Sequence, residues 1–317
     1  MSAPVPLKRS PSTPRPTTRE TWFWTGLIVL TVALFYGPLR DWFKFALEDD
    51  LYSHAVIVPL ISSYLIWWAR LWPLQRQAVP PAIRSVAGGG FLIGMLLGHG
   101  IIPPIIGSSD SSIDSFSSSM LGFVLCIGAA SLGVLGWRGL KAVLAPWLVL
   151  LFMVPFPESV LLGIETFLQY GSAAVAGWLF QVADTPVLIS GLVMKLPGVS
   201  IQVARECSGI HSTVVLFITA TTAGLVFLKT GWARTLLIGL AIPLALVRNG
   251  FRVFTLGELA VKLGPEVLDS WIHHDGGPYF FAASLIPLGL LLLLLRKWEV
   301  RRSGREQELV KPAPTTP

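Results

Sequence analysis

The sequence is poor in charge and in cysteine. Only 13% of its residues are charged and 53% are hydrophobic, whereas soluble proteins carry about 25% charged residues. This balance excludes an ordinary soluble enzyme and favours a membrane protein. The two cysteines form no CxxC pair, and neither HExxH nor another metal-binding helix spacing occurs. The sequence therefore predicts no bound metal and no cofactor.

A secretory signal peptide is missing as well. Residues 1–20 are rich in Pro, Ser, Thr and basic residues, and no small-residue cleavage site follows the first apolar run. We expect a disordered cytoplasmic tail at 1–20, one membrane domain at 21–298 and a second disordered cytoplasmic tail at 299–317. The net charge of +6 lies in the tails and in loops between apolar runs, so nucleic-acid binding is not expected.

Apolar runs long enough to cross a bilayer recur along the chain. They predict an all-α fold, a polytopic membrane helix bundle with about eight transmembrane helices. The predicted spans are 22–39, 54–69, 85–106, 119–136, 142–156, 209–228, 235–254 and 279–295.

The basic residues fix the predicted orientation. If the N-terminus is inside and eight spans alternate, 17 of the 24 Lys and Arg residues fall in cytoplasmic segments. This asymmetry is the positive-inside pattern of inserted membrane proteins. We therefore expect a multi-pass protein of the cell (inner) membrane with both termini in the cytoplasm.

One connection, residues 157–208, is long and lies outside in this topology. Its first part, 158–180, is apolar with polar interruptions, and its second part alternates and is split by Pro197-Gly198. The pattern predicts a small extracytoplasmic helix followed by a hairpin. We expect an interfacial or re-entrant helix at 158–180, because a ninth span there would move basic loops to the outside; a ninth span is the alternative.

Cys207 stands where this polar stretch meets an apolar helix, in Arg205-Glu-Cys-Ser-Gly-Ile-His-Ser212. Ser208 or Cys207 itself could cap the sixth span, and the free N–H groups and the positive dipole end of a helix favour a thiolate. The alternative is a loop cysteine packed under the hairpin. Cys126 lies in mid-span among apolar residues, and we expect it to be a small buried hydrophobe without a disulfide.

A guanidinium reaches the same predicted face. Arg248, Asn249 and Arg252 share one side of the seventh span near its outer end. A charge inside a span usually faces a polar cavity. The alternative is an arginine that snorkels to the outer headgroups.

Imidazoles also come to this face. His273 and His274 precede the last span, and His211 follows Cys207 by one helical turn, so each of the three could act as a base. A solvated pair of loop histidines is the alternative. A thiol, a guanidinium and an imidazole at one membrane face suit a thiol acyl-transfer enzyme.

Four ordered stretches resemble the motifs of the exosortases and archaeosortases, a family of multi-span membrane proteins, and the resemblance covers about residues 25–295. In this chain the usual Gly after Ser-His is Ala55, and the Trp expected after Gly277 is Pro278. The matching stretches are Tyr52-Ser-His-Ala-Val-Ile-Val-Pro-Leu60, Cys207-Ser-Gly-Ile210, Ile242-Pro followed by Asn249-Gly-Phe-Arg252, and His273 followed by Gly277 and Phe281.

The resemblance implies a membrane cysteine peptidase or transpeptidase whose catalytic residues are Cys207, Arg252 and His273. Its partners would be secreted proteins that end in a short motif such as Pro-Glu-Pro, an apolar helix and a basic tail. The enzyme would cleave this sorting signal at the outer face through an acyl-thioester and pass the protein to a cell-surface acceptor or to water. Two alternatives stay open: a transporter or lipid flippase with an outer-face Arg/His anion site, and a membrane scaffold for polysaccharide export.

Overall fold

The computed structural model describes residues 18–69, 79–102, 111–203, 209–269 and 276–310. Most of these residues are helical. The helices are α1 (Thr18–Leu34), α2 (Tyr36–Glu48), α3 (Val58–Trp68), α4 (Pro81–Gly98), α5 (Ser112–Leu150), α6 (Glu158–Val182), α7 (Ile210–Phe227), α8 (Gly231–Leu263) and α9 (Gly277–Val310). Short 3-10 helices occupy Asp50–Val56, Leu151–Met153 and Pro265–Asp269, and the strands are β1 (Leu188–Ser190), β2 (Val193–Leu196) and β3 (Val199–Gln202).

Among the described residues, 6 helices are long and apolar enough to cross a membrane. The pair α1–α2, bent by 71°, brings the number to 7 if it forms one span. The predicted all-α, multi-pass bundle is therefore confirmed, although this length criterion gives fewer spans than the eight predicted. The difference lies mainly in Ser112–Met153, which counts once with 42 residues.

That long element reverses its direction at Gly136, whose backbone (φ 68°, ψ −176°) is not helical and suits glycine. Nε1 of Trp147 donates a hydrogen bond of 2.8 Å to the carbonyl of Val124, 23 residues earlier. A straight helix of that length would hold the two residues about 35 Å apart. The two arms therefore lie side by side, and they correspond to the predicted spans 119–136 and 142–156.

The chain divides into two compact units, Met1–Phe45 with Ala55–Pro155 and Ala46–His54 with Phe156–Pro317. In the first unit, α4 packs closely on α5 because glycines face each other. A Cβ atom on Gly122 would stand 2.4 Å from the carbonyl oxygen of Gly94, the kind of small-residue contact on which membrane helices rely. Cys126 is buried on the same helix, as expected, and its thiol contacts the carbonyl of Phe91 at 3.4 Å.

In the second unit, α6 runs parallel to α8. Their contacts follow the same chain direction: Gly171 of α6 lies against Leu246 of α8, and Phe180, later in α6, lies against Gly257, later in α8. A helix lying flat in the interface would cross α8 instead, so the arrangement does not fit an interfacial helix, and both a re-entrant helix and a ninth span fit it. With 25 residues α6 is long enough to cross a membrane, but it is not among the six helices that are also apolar enough.

The predicted hairpin is a three-stranded antiparallel sheet in the order β1-β2-β3. Gly191 and Gly198 make its two turns with φ of 62° and 80°, a region open to glycine. Met194 and Leu196 pack from the sheet onto Phe180 of α6 and Val253 of α8. A Cβ atom on Gly257 would stand 3.1 Å from Leu196, so the sheet rests on α8 at and just past the predicted end of the span at 254.

The last helix also continues further than predicted. It runs to Val310, past residue 299, at which we expected a disordered tail to begin. Glu299 is buried (7% exposed), and its carboxylate accepts hydrogen bonds from the backbone N–H groups of Lys229 and Thr230 at 3.1 and 2.8 Å. This carboxylate compensates the N–H groups at the start of α8, which explains why the helix stays folded there.

Candidate active site

Of the three predicted site residues, Arg252 lies in the described part of the chain, on α8. Cys207 and His273 lie outside the described residues, in stretches that we term the Cys207 segment (204–208) and the His273 segment (270–275). The residues that flank both segments are described. They show where each segment begins and ends in the fold.

The chain enters the Cys207 segment from Val203, which follows β3 and is 1% exposed. The N–H of Val203 donates to the carbonyl of Leu192 at 2.9 Å. Its carbonyl accepts a buried hydrogen bond of 3.0 Å from Nε2 of Gln169 on α6. Water cannot replace this bond without opening the core, so the backbone is fixed at this point.

The chain leaves the Cys207 segment at Gly209, the N-cap residue of α7. Its backbone is left-handed (φ 69°, ψ 22°), a conformation that glycine adopts without strain. A Cβ atom there would stand 2.8 Å from Oδ1 of Asn249 and 3.1 Å from Nη2 of Arg248. The glycine of the Cys-Ser-Gly-Ile stretch therefore lets α7 begin in direct contact with α8.

Asn249 links this exit to α6. It is 2% exposed, and its Nδ2 donates a buried hydrogen bond of 3.0 Å to Oγ of Ser172. Ser172 lies three residues after Gln169, on the same face of α6. One turn of α6 thus holds both ends of the Cys207 segment, the entrance directly and the exit through Asn249.

The roles of Gln169 and Ser172 were missed by the sequence reasoning, in which they only interrupted an apolar stretch. Together with Glu165 they form a buried polar stripe, at 9%, 7% and 0% exposed for Glu165, Gln169 and Ser172. Their spacing of four and then three residues places them on one side of a helix. That spacing was the available signal.

Three polar side chains of α8, those of Arg248, Asn249 and Arg252, lie in one turn, Arg248–Arg252, which we term the polar turn. Arg248 is 8% exposed, and its Nη2 donates to the carbonyl of Gly209 at 3.3 Å. Arg252, one helical turn further on, exerts a like-charge repulsion on Arg248. Arg248 and Asn249 are buried within the protein, whereas Arg252 is half-buried.

The His273 segment ends beside the same turn. Gly276, the first described residue after it, is buried, and its carbonyl accepts the N–H groups of Tyr279 and Phe280 at the start of α9. The ring of Phe280 lies 6.3 Å from that of Phe251 in the polar turn. The start of α9 therefore meets α8 between Arg248 and Arg252.

His211 is the candidate base that the described residues include. It lies in the first turn of α7, next to Ile210, which packs with Leu51. Asp49 and Asp50 act on its ring electrostatically. The stretch from Tyr52 that shares the family resemblance therefore begins beside the helix that follows Cys207. No group of three or more His, Cys, Asp or Glu side chains that could hold a metal occurs in the described ranges.

The fold defines an all-α, multi-pass membrane protein with a polar turn buried in one of its long apolar helices. The chain matches the transmembrane exosortase family over residues 42–290 and belongs to this family. The matched range includes Cys207, Arg252 and His273. At family level, membership supports a membrane transpeptidase that acts in protein sorting. No curated protein and no solved structure matches the chain.

Proposed function

We propose that this chain is a membrane cysteine peptidase or transpeptidase that cleaves the C-terminal sorting signals of secreted proteins at the outer face. One observation carries the proposal: the flanks of two predicted catalytic segments meet the same turn of α8. Gly209, which follows Cys207 by two residues, contacts Arg248 and Asn249. Phe280, after the His273 segment, contacts Phe251. Arg252 belongs to that turn.

The proposed reaction is an acyl transfer through sulfur. The thiolate of Cys207 bonds to the carbonyl carbon of the scissile peptide, and the C–N bond breaks after the tetrahedral intermediate has formed. His273 gives a proton to the leaving amine of the tail. Arg252 donates hydrogen bonds to the oxyanion. Water or an amine or hydroxyl of a surface acceptor then attacks the thioester and returns the thiol.

The tripartite tail suits this site in the predicted topology. The apolar helix of the substrate would lie beside the bundle, its basic end would stay in the cytoplasm, and its scissile bond would reach the outer boundary. A transporter or flippase would need no nucleophilic thiol. Cys207→Ser would keep activity in that case.

A reporter protein with a Pro-Glu-Pro motif, an apolar helix and a basic end tests the proposal. Cys207→Ala should fold in the membrane and leave the reporter uncleaved. The matched control is Cys126→Ala, which should cleave at nearly the wild-type rate because its thiol is buried in the other unit, where it contacts the carbonyl of Phe91. Full cleavage by Cys207→Ala would rule out the thioester.

Labelling tests the location of the site. In a Cys126→Ala background, a membrane-impermeant maleimide should react with Cys207 from the outside of intact cells. Reaction only after the cytoplasmic face has been exposed would reverse the topology and move the site to the other side of the membrane.

A further inference from the structure

Arg248 is a buried guanidinium that the proposed reaction does not use. Nη2 of its side chain donates to the carbonyl of Gly209 at 3.3 Å. Its Nη1 is also buried and has no hydrogen-bond partner among the described residues. A donor of a charged group that is removed from water without a partner is strongly unfavourable. The arrangement persists in the fold at a cost to stability, which is typical of a binding site.

The charges near Arg248 do not compensate it within the described ranges. The strongest of them is the guanidinium of Arg252, which has the same sign. A site with this composition favours an anion.

The anion does not come from the lipid surface. On this part of α8, Val247 and Phe251 are 52% and 49% exposed, whereas Arg248 is 8% exposed. A snorkelling arginine would extend along the exposed face to the headgroups. Arg248 instead contacts the backbone at the start of α7, so its ligand has to approach from within the site.

We propose that Arg248 binds a carboxylate side chain of the protein substrate, close to the bond that Cys207 attacks. The guanidinium is held on Gly209, two residues after Cys207. Successive residues of an extended peptide advance by about 3.3–3.6 Å, so an acidic residue one or two positions from the scissile bond comes within reach. The planar fork of an arginine matches the two oxygens of a carboxylate. This inference rests on the proposed function and adds a specificity-determining residue to it.

Two reporter tails that differ in one group test the inference, one with Pro-Glu-Pro and one with Pro-Gln-Pro. Wild-type protein should cleave the Glu tail about 10- to 100-fold faster, because an amide does not pair with the guanidinium charge. In Arg248→Met this ratio should fall to about one. Arg234→Met on the same helix is the matched control and should keep the wild-type ratio, because Arg234 donates to the carbonyl of Leu228 at 3.0 and 2.8 Å.

The unfolding temperature in detergent separates binding from structure. Arg248→Met removes a buried charge that no described acidic residue compensates and should unfold at the wild-type temperature or above it, whereas Arg234→Met should unfold at a lower one. Arg248→Lys keeps the charge and should keep part of the preference for the Glu tail. A wild-type ratio in Arg248→Met overturns the inference. The inference is also overturned if Arg248→Met unfolds at a lower temperature and cleaves both tails more slowly by the same factor. Arg248 would then pair with an acidic residue of its own chain.

A further experiment distinguishes failure of the proposed function from failure of this inference. Photo-crosslinking of the two tails to the Cys207→Ala protein measures capture without cleavage, and the excess of captured Glu tail should again depend on Arg248. Cleavage by Cys207→Ala with an intact Glu preference overturns the thioester and leaves the inference standing. Equal capture of both tails, with equal cleavage by wild type, overturns the inference.

Discussion

The two ends of α8 hold arginines in opposite surroundings. At the Gly231 end, Nε and Nη2 of Arg234 donate to the carbonyl of Leu228, and the carboxylate of Glu299 lies close enough to act on its charge. At the polar turn, Arg248 donates a hydrogen bond to the carbonyl of Gly209. Its Nη1 has no partner among the described residues, and its charged neighbour is another arginine.

The difference separates a structural from a functional use of the same side chain. Where the hydrogen bonds and charges of a buried arginine are satisfied within the fold, the residue stabilises the helix end. Where the hydrogen bonds and the charge of a buried arginine are not satisfied within the fold, the arginine lowers the stability of the protein, and a bound ligand can restore the missing interactions. Variants of the polar turn should therefore lose activity, and variants of the Gly231 end should lose stability.

The largest effect on the cleavage rate is expected for His273, the proposed acid–base residue. His273→Ala should lower the cleavage rate of the reporter by about 10²–10⁴, the contribution typical of general acid–base catalysis. His274→Ala and His211→Ala should lower it less. Cleavage is measured per folded molecule in membranes. Wild-type activity in His273→Ala, with loss in one of the other two variants, would give the role to that imidazole and leave the cysteine mechanism intact.

The two ends should also differ in their tolerance of lysine. Arg252→Lys keeps the charge but loses the planar fork of donors, and the loss of an oxyanion donor lowers the rate by about 10²–10³. Arg234→Lys is the control at the other end and should cleave at close to the wild-type rate once the folded fraction has been measured. Similar small losses in both variants would contradict an oxyanion role for Arg252.

Gln169→Leu should weaken the attachment of the Cys207 segment at Val203. We expect about a tenfold lower kcat with little change in KM, because small displacements of a reacting group lower the rate. The rate of alkylation of Cys207 gives an independent readout. Tyr170→Phe, on the exposed side of α6 (53% exposed), is the control. Unchanged kcat and alkylation in Gln169→Leu would show that the other anchor suffices.

The smallest effect on catalysis is expected at the Gly231 end. Glu299→Gln should lower the free energy of unfolding by about 2–3 kcal/mol, because the buried carboxylate accepts hydrogen bonds from Lys229 and Thr230. The cleavage rate per folded molecule should stay at the wild-type value. A lower rate at unchanged stability would mean that this end takes part in the reaction, and the comparison would fail.

Local pattern was enough to predict much of the fold. Apolar runs and glycine turns predicted the helices, the two arms of α5 and the strands before Cys207. The spacing of Arg248 and Asn249 predicted a buried polar turn, because two polar residues on one face of an apolar span need a polar partner. These features depend on residues a few positions apart.

The parts that could not be predicted depend on distant partners. Gln169 bonds to a carbonyl 34 residues away, and Asn249 bonds to a hydroxyl 77 residues away. A helix that is apolar on most sides does not reveal which face will be buried, so the parallel packing of α6 on α8 was not visible either. Glu299 stands in a basic stretch that resembles a tail, and the N–H groups that its carboxylate accepts belong to Lys229 and Thr230, which are 70 and 69 residues away in the sequence.

The attachment of the Cys207 segment to one turn of α6 has a consequence for the choice of substrate. Gly209 is fixed on α8, and a chain of two residues extends by no more than about 7 Å. Under the proposed function, the thiol would therefore reach only bonds within a limited range of heights along the bundle. Each residue added to the apolar helix of a substrate moves its scissile bond by about 1.5 Å. The enzyme would in this way measure the length of the anchor as well as read the motif, and proteins whose anchors are too long or too short would remain in the membrane uncut.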